Sequence, residues 1–163
     1  ADLWIFLNLG VAIAISVPAL NYYTHGTHIT VAHAMGTTIG INTMLLFASV
    51  FYVLHQQKPQ VLENKKKLIG RGIAITNISL IIFWTALIGS GFAKISGKLN
   101  NRAFAQIMEA SQPFFKLFTA SGLFILLGLT MMILGAWKVI GKKEQNTVSA
   151  NNADSLLELD TVL

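Results

Sequence analysis

Apolar residues arrive in this chain in long, uninterrupted runs, and that arrangement restricts the folds open to it more than any other feature. A run of about 18 or more residues with few charges is long enough to cross the hydrocarbon of a bilayer as a helix. The first run extends from Leu3 to about Leu20 and contains no charge. A second extends from about Ile29 to Leu54, a third from Ile73 to Ala93 and a fourth from about Leu117 to Ile140. A membrane barrel would show short alternating segments instead, so strands are not expected. Composition agrees: 53% of the 163 residues are hydrophobic and the mean hydropathy is +0.60. Only 12% are charged, against roughly 25% in a soluble domain. Too little polar surface remains to cover a soluble core. The expected architecture is all-α, an integral membrane helical bundle of about four transmembrane helices. It should occupy residues 1–140, with 141–163 reading as a polar, disordered cytoplasmic tail.

The connections carry the polar residues. Pro18 and the cluster Asn21-Tyr22-Tyr23 suit a membrane–water boundary. Gln56-Gln57-Lys58-Pro59 and Glu63-Asn64-Lys65-Lys66-Lys67 form a charged loop. Between Lys94 and Lys116 lies a mixed segment with Arg102, Glu109 and Pro113, with room for a short amphipathic surface helix. Trp137-Lys138 reads as an interfacial anchor. The net charge of +5 sits in loops and tail, so it informs topology and is no nucleic-acid footprint. Placing the Lys58–Arg71 loop and Lys138, Lys142 and Lys143 in the cytoplasm puts Tyr22 to His28 on the outer side. The absence of cysteine excludes disulfides, thiolate metal sites and cysteine nucleophiles. The opening Ala1-Asp2-Leu3-Trp4 has neither an initiator Met nor a signal-peptide pattern, which is consistent with a start inside a longer polypeptide.

Chemistry gathers at the start of the second run, Tyr22-Tyr23-Thr24-His25-Gly26-Thr27-His28-Ile29-Thr30-Val31-Ala32-His33-Ala34-Met35-Gly36. His33 should lie within the hydrocarbon, where an ionisable residue is costly and suggests function. Helical spacing puts Gly36, Thr37 and Gly40 on or near its face. Those small residues would let a flat porphyrin lie against the backbone, or would let another helix pack closely as a G-x-x-x-G stripe. Met35 lies about 200° round the helix from His33, and Asn42 should share its side. A methionine thioether is a competent axial heme ligand, and it is also a common filler of irregular apolar gaps. His25, Thr27 and His28 are candidate contacts for heme propionates, or simply polar residues at an interface. His55 reads as a solvated terminus residue. Asn77, Ser79, Thr85, Thr119 and Ser121 read as interhelical hydrogen-bond glue. Phosphate-cradling loops, paired catalytic acids and nucleophile–base pairs are absent from the sequence.

The stretch Tyr22-Tyr23-Thr24-His25-Gly26-Thr27, then Thr30-Val31-Ala32-His33, resembles the catalytic subunit of bacterial respiratory nitric oxide reductase, in the heme–copper oxidase superfamily. Ile15-Ser16-Val17-Pro18-Ala19-Leu20-Asn21 resembles the end of that subunit's preceding helix. The resemblance implies a multi-pass protein of the bacterial inner membrane, with this chain as the C-terminal third of the subunit I fold. It implies that His33 is the proximal ligand of a high-spin heme b, the catalytic centre where nitric oxide becomes nitrous oxide, and that His25 lies near the propionates. His28 has no fixed counterpart. The family's His-x-His pattern, whose second histidine ligates a low-spin heme b, reads His33-Ala34-Met35 here, so Met35 is a candidate ligand of that second heme. The non-heme iron would be held by residues outside this chain. The implied partners are the membrane, the remaining helices of the catalytic subunit, and a cytochrome c subunit or quinol as electron donor. The alternatives are an oxygen-reducing terminal oxidase or nitric oxide dismutase-like relative, a small heme-binding membrane anchor, and a non-catalytic structural subunit.

Overall fold

A computed structural model describes residues 1–141, so all of the expected tail except Gly141 lies outside the described residues. The elements are α1 (Asp2–Ser16), α2 (Pro18–Thr24), α3 (His28–Met35), a π-helical segment (Gly36–Thr43), α4 (Met44–Gln57), α5 (Pro59–Glu63), α6 (Lys66–Leu99) and α7 (Phe104–Ile140). Three helical rods are long and apolar enough to cross a membrane: His28–Gln57, α6 and α7. The α1–α2 pair makes a fourth if it counts as one span. The protein is an all-α, multi-pass membrane bundle.

The run from Leu3 to Leu20, expected as one span, is bent by 100° between α1 and α2. Proline explains the break. Pro18 has no N–H to continue the ladder, and its ring disfavours helical backbone in the residue before it. Val17 is accordingly extended, at φ −73° and ψ 121°. A second break separates α2 from α3, where Gly26 adopts φ +69°. Thr27 then caps α3: its hydroxyl oxygen accepts from Ile29 N at 3.3 Å and its hydroxyl donates to the Thr24 carbonyl at 2.6 Å.

Beyond Met35 the helix widens. The segment Gly36-Thr37-Thr38-Ile39-Gly40-Ile41-Asn42-Thr43 is π-helical, and Thr43 Oγ1 donates to the Thr38 carbonyl five residues back, at 2.8 Å. Each π turn holds about one more residue than an α turn. Seven residues therefore no longer bring Asn42 round beneath Met35, as 100° per residue had implied.

The mixed segment between Lys94 and Lys116 is not a separate surface helix. α6 continues to Leu99, and α7 begins at Phe104. At about 1.5 Å per residue these helices are roughly 50 and 55 Å long, so both project beyond the hydrocarbon. Asn101, at φ +50°, closes α6: Arg102 N donates to the Gly97 carbonyl at 2.9 Å and Asn101 N to the Lys98 carbonyl at 3.1 Å. That pairing is a Schellman motif, with Asn in the left-handed position usually taken by Gly. The two helices then pack backbone to backbone. A Cβ on Gly72 would stand 2.9 Å from the Gly128 carbonyl oxygen, and one on Gly128 would collide with the Thr76 hydroxyl. Only glycine permits that approach.

One core cluster joins α1, α3, α6 and α7 through Trp4, Ala32, Leu80, Phe83, Leu87 and Ile125. A smaller one joins α4 and α7 through Leu54, Ala136 and Val139. α6 is the most buried of the long helices. At one end of the bundle Lys58 Nζ donates to the Ile140 carbonyl at 2.9 Å. At the other, Lys94 Nζ donates to the Gly26 carbonyl at 2.7 Å. The α6–α7 turn therefore shares an end with His25 and His28, and both ends carry basic residues. Much of the outer surface is apolar, including Phe6, Leu46, Leu123, Leu126 and Trp137, as lipid or neighbouring helices require.

Candidate functional site

His33 is half-buried in the last turn of α3. On its Nδ1 side it meets α1. Asn8, buried in the otherwise apolar run of α1, inserts its amide between His33 and Thr37. With the amide nitrogen toward His33, it donates to the His33 carbonyl at 3.0 Å and to Nδ1 at 3.1 Å, while the amide oxygen accepts from Thr37 N at 3.3 Å and from the Thr37 hydroxyl at 2.5 Å. The Thr37 hydroxyl also lies 3.1 Å from the His33 carbonyl. Nε2 of His33 has no hydrogen-bond partner, yet the buried side-chain N or O atom lacking one among the described residues is Trp84 Nε1. Nε2 is therefore not fully enclosed. A neutral imidazole that accepts at Nδ1 carries its proton on Nε2, so iron ligation through Nε2 requires the Asn8 amide turned the other way, its oxygen toward an Nδ1–H.

The glycines serve α1. A Cβ on Gly36 would stand 2.7 Å from Asn8 Oδ1, and one on Gly40 would stand 2.5 Å from Trp4 Cγ. Of the two uses expected for Gly36 and Gly40, the close approach of another helix is the one the contacts with α1 serve. Trp4 donates from Nε1 to Asn77 Oδ1 at 3.0 Å and meets Trp84 edge to face at 6.2 Å, which pins α1 to α6. Of the residues expected as interhelical glue, Asn77 crosses between helices. Thr85, Thr119 and Ser121 bond back to their own helices.

Met35 is partly buried and packs against the first core cluster, the role of a filler. The outer polar residues are not brought together. Thr27 is buried and spent on its cap. His28 turns inward, with Nδ1 3.2 Å from Ser90 Oγ and its ring 5.2 Å from that of Phe115. His25 is exposed at the end of α2. His55 is exposed near the end of α4. Among the described residues, no three His, Cys, Asp or Glu side chains gather as a metal site.

Sequence reasoning missed Asn8 and Trp84. The signal for Asn8 was present: an amide inside a charge-free apolar run needs a partner, and the partner marks a contact. Nothing local distinguishes Trp84 from an ordinary core tryptophan.

Residues 5–140 match the family described as Cytochrome C and Quinol oxidase polypeptide I. The chain belongs to that family. It is a heme–copper oxidase-type subunit I polypeptide, of a membrane oxidoreductase class whose members generally bind heme. No curated protein and no solved structure matches it. Within this subunit I chain, His33 lies in the candidate span His28–Gln57 with the Asn8 amide 3.1 Å from its Nδ1.

Proposed function

We propose that this chain supplies the proximal side of a high-spin heme in a respiratory nitric oxide reductase, with His33 Nε2 as the iron ligand. What supports the reading is the place of His33 in a subunit I chain, with the Asn8 amide 3.1 Å from Nδ1 and able, with its oxygen turned to the ring, to accept the Nδ1 proton that iron at Nε2 requires. The resemblance of Tyr22–Thr27 and Thr30–His33 to the reductase's motif narrows the substrate. The overall reaction takes two nitric oxide molecules, two electrons and two protons to nitrous oxide and water. When bound, the heme would supply a redox-active site for the nitrogen oxide. His33 would anchor that site and set its electron density through the axial bond. Asn8 and Thr37 would hold the ring against rotation, and α1 would close the backbone face at Gly36 and Gly40. The second iron, the other helices of the subunit, and a cytochrome c or quinol donor would come from outside this chain, in a bacterial inner membrane. The packing of Met35 gives no support to a second heme at that residue.

The test is an optical and EPR comparison of the purified membrane complex with its His33→Ala variant. Loss of the high-spin heme signal in the variant, other hemes persisting, is the expected result. Unchanged spectra would sink the proposal and leave a structural subunit. A second reading, oxygen reduction, is favoured by the family's description as cytochrome c and quinol oxidases. Gas-electrode assays separate the two: the reductase consumes nitric oxide and releases half as many moles of nitrous oxide, whereas an oxidase consumes oxygen.

A further inference from the structure

The amide of Asn8 is costly where it stands, buried on a helix that offers no other side-chain partner for it. Glycine at position 36 makes its approach feasible, since any Cβ there would strike Oδ1. Trp84 Nε1, which also borders the Gly36 position at 3.3 Å from where that Cβ would be, is left without a partner. Asn8 is committed instead to His33 and Thr37.

A neutral imidazole carries one proton. If Nε2 binds iron the proton must sit on Nδ1, which then needs an acceptor. The Asn8 amide is nearly symmetric in shape, so turning it over places the oxygen 3.1 Å from Nδ1 and the nitrogen 2.5 Å from the Thr37 hydroxyl. The same turn sets the amide oxygen 3.0 Å from the His33 carbonyl oxygen and the amide nitrogen 3.3 Å from Thr37 N, like against like, so it is the proton on Nδ1 that must favour it. The His33 carbonyl retains the Thr37 hydroxyl and Gly36 N, and Thr37 N lies within a helical ladder. The amide can thus meet either tautomer, the Nδ1–H form at the cost of those two contacts.

We propose that Asn8 is the positioning residue of His33, turning its oxygen to accept the Nδ1 proton once iron takes Nε2 and limiting, as a neutral acceptor, how much electron density the imidazole passes to the iron. The inference rests on the reading of His33 as iron ligand. A carboxylate at position 8 would accept more strongly and give the ring more imidazolate character. An apolar residue would accept nothing. Those two changes have opposite signs, which a purely structural role would not produce.

The experiment is resonance Raman spectroscopy of the ferrous complex, with redox titration of the same heme, for wild type, Asn8→Asp, Asn8→Leu and His33→Ala. The iron–histidine stretch is expected to shift up in Asn8→Asp and down in Asn8→Leu, with the midpoint potential falling in the first and rising in the second. A band that stays put in both, or moves the same way in both, overturns the proposal while leaving His33 as ligand. Should Asn8→Leu fail to assemble, an unmoved band in Asn8→Asp overturns it alone. Persistence of the high-spin heme in His33→Ala overturns the ligand reading itself, and this inference with it.

Discussion

Trp4 and Asn8 reach the His33 helix at two positions that have no side chain, and the geometry there sets the sign of the simplest substitutions. A methyl at Gly40 would press into a fully buried indole, 2.5 Å from Cγ. Overpacking of that kind costs about 1–3 kcal/mol, whereas replacing a helical glycine with alanine gains about 1 kcal/mol. Gly40→Ala is therefore expected to lower the melting temperature of the purified protein. Gly70→Ala is the control. Nothing lies within 4 Å of a Cβ there, so only the propensity term remains and the melting temperature should rise. Met35→Leu tests the other side of the helix: as a packing residue it should cost less than about 1.5 kcal/mol and leave every heme band in place. Disappearance of a low-spin band would instead restore Met35 as a ligand. His33 was legible from the sequence because an ionisable group in an apolar span is conspicuous. The competing uses of Gly36 and Gly40 were not, since a flat cofactor and a close helix demand the same absence of Cβ.

At the scale of elements, breaks matter as much as spans. Gly26 holds a left-handed backbone that costs a residue with a Cβ about 1–2 kcal/mol, and it does so with open space around its Cα. Gly26→Ala should destabilise by that amount through backbone strain alone, seen as a lowered melting temperature with the heme spectrum unchanged. Pro18 does the opposite job, stopping a helix that composition would continue. Because the chain has no cysteine, spin labels can be placed singly at Leu9 and Tyr22. Their separation should lengthen in Pro18→Ala as α1 and α2 straighten. The sequence displayed Pro18 plainly, yet run length argued for one span. Hydropathy measures how much apolar chain there is and says nothing about whether it is straight.

Across the whole molecule the contacts are uneven. The α6–α7 hairpin is packed at backbone distance and tied off by its Schellman turn, whereas α1 is held by Trp4, Asn8 and one core cluster. Amide exchange in lipid or detergent should therefore be slowest across Gly72–Gly91 and Ser121–Val139, and faster along α1 and α2. Equal protection of α1 would show that helices outside this chain clamp it. All-α membrane architecture was readable from run lengths because lipid leaves helices and closed barrels as the only spanning solutions. The full lengths of α6 and α7 were not, because polar residues such as Lys98 and Lys116 interrupt hydropathy without interrupting a helix.

The π-helical segment works as a rotary offset within the rod His28–Gln57. Upstream of it, side-chain direction is set by the His33 end, and downstream by the fit of Leu54 against Ala136 and Val139. An offset of this kind uncouples the two halves. Substitutions that repack the Leu54 end need not turn the imidazole, and those that adjust the imidazole need not disturb the packing below. Because each π turn holds about one residue more than an α turn, a one-residue deletion between Gly36 and Thr43 can be absorbed by a return to α winding with the two halves kept near their present alignment, so a deletion here should be better tolerated than one in the α-helical stretches on either side.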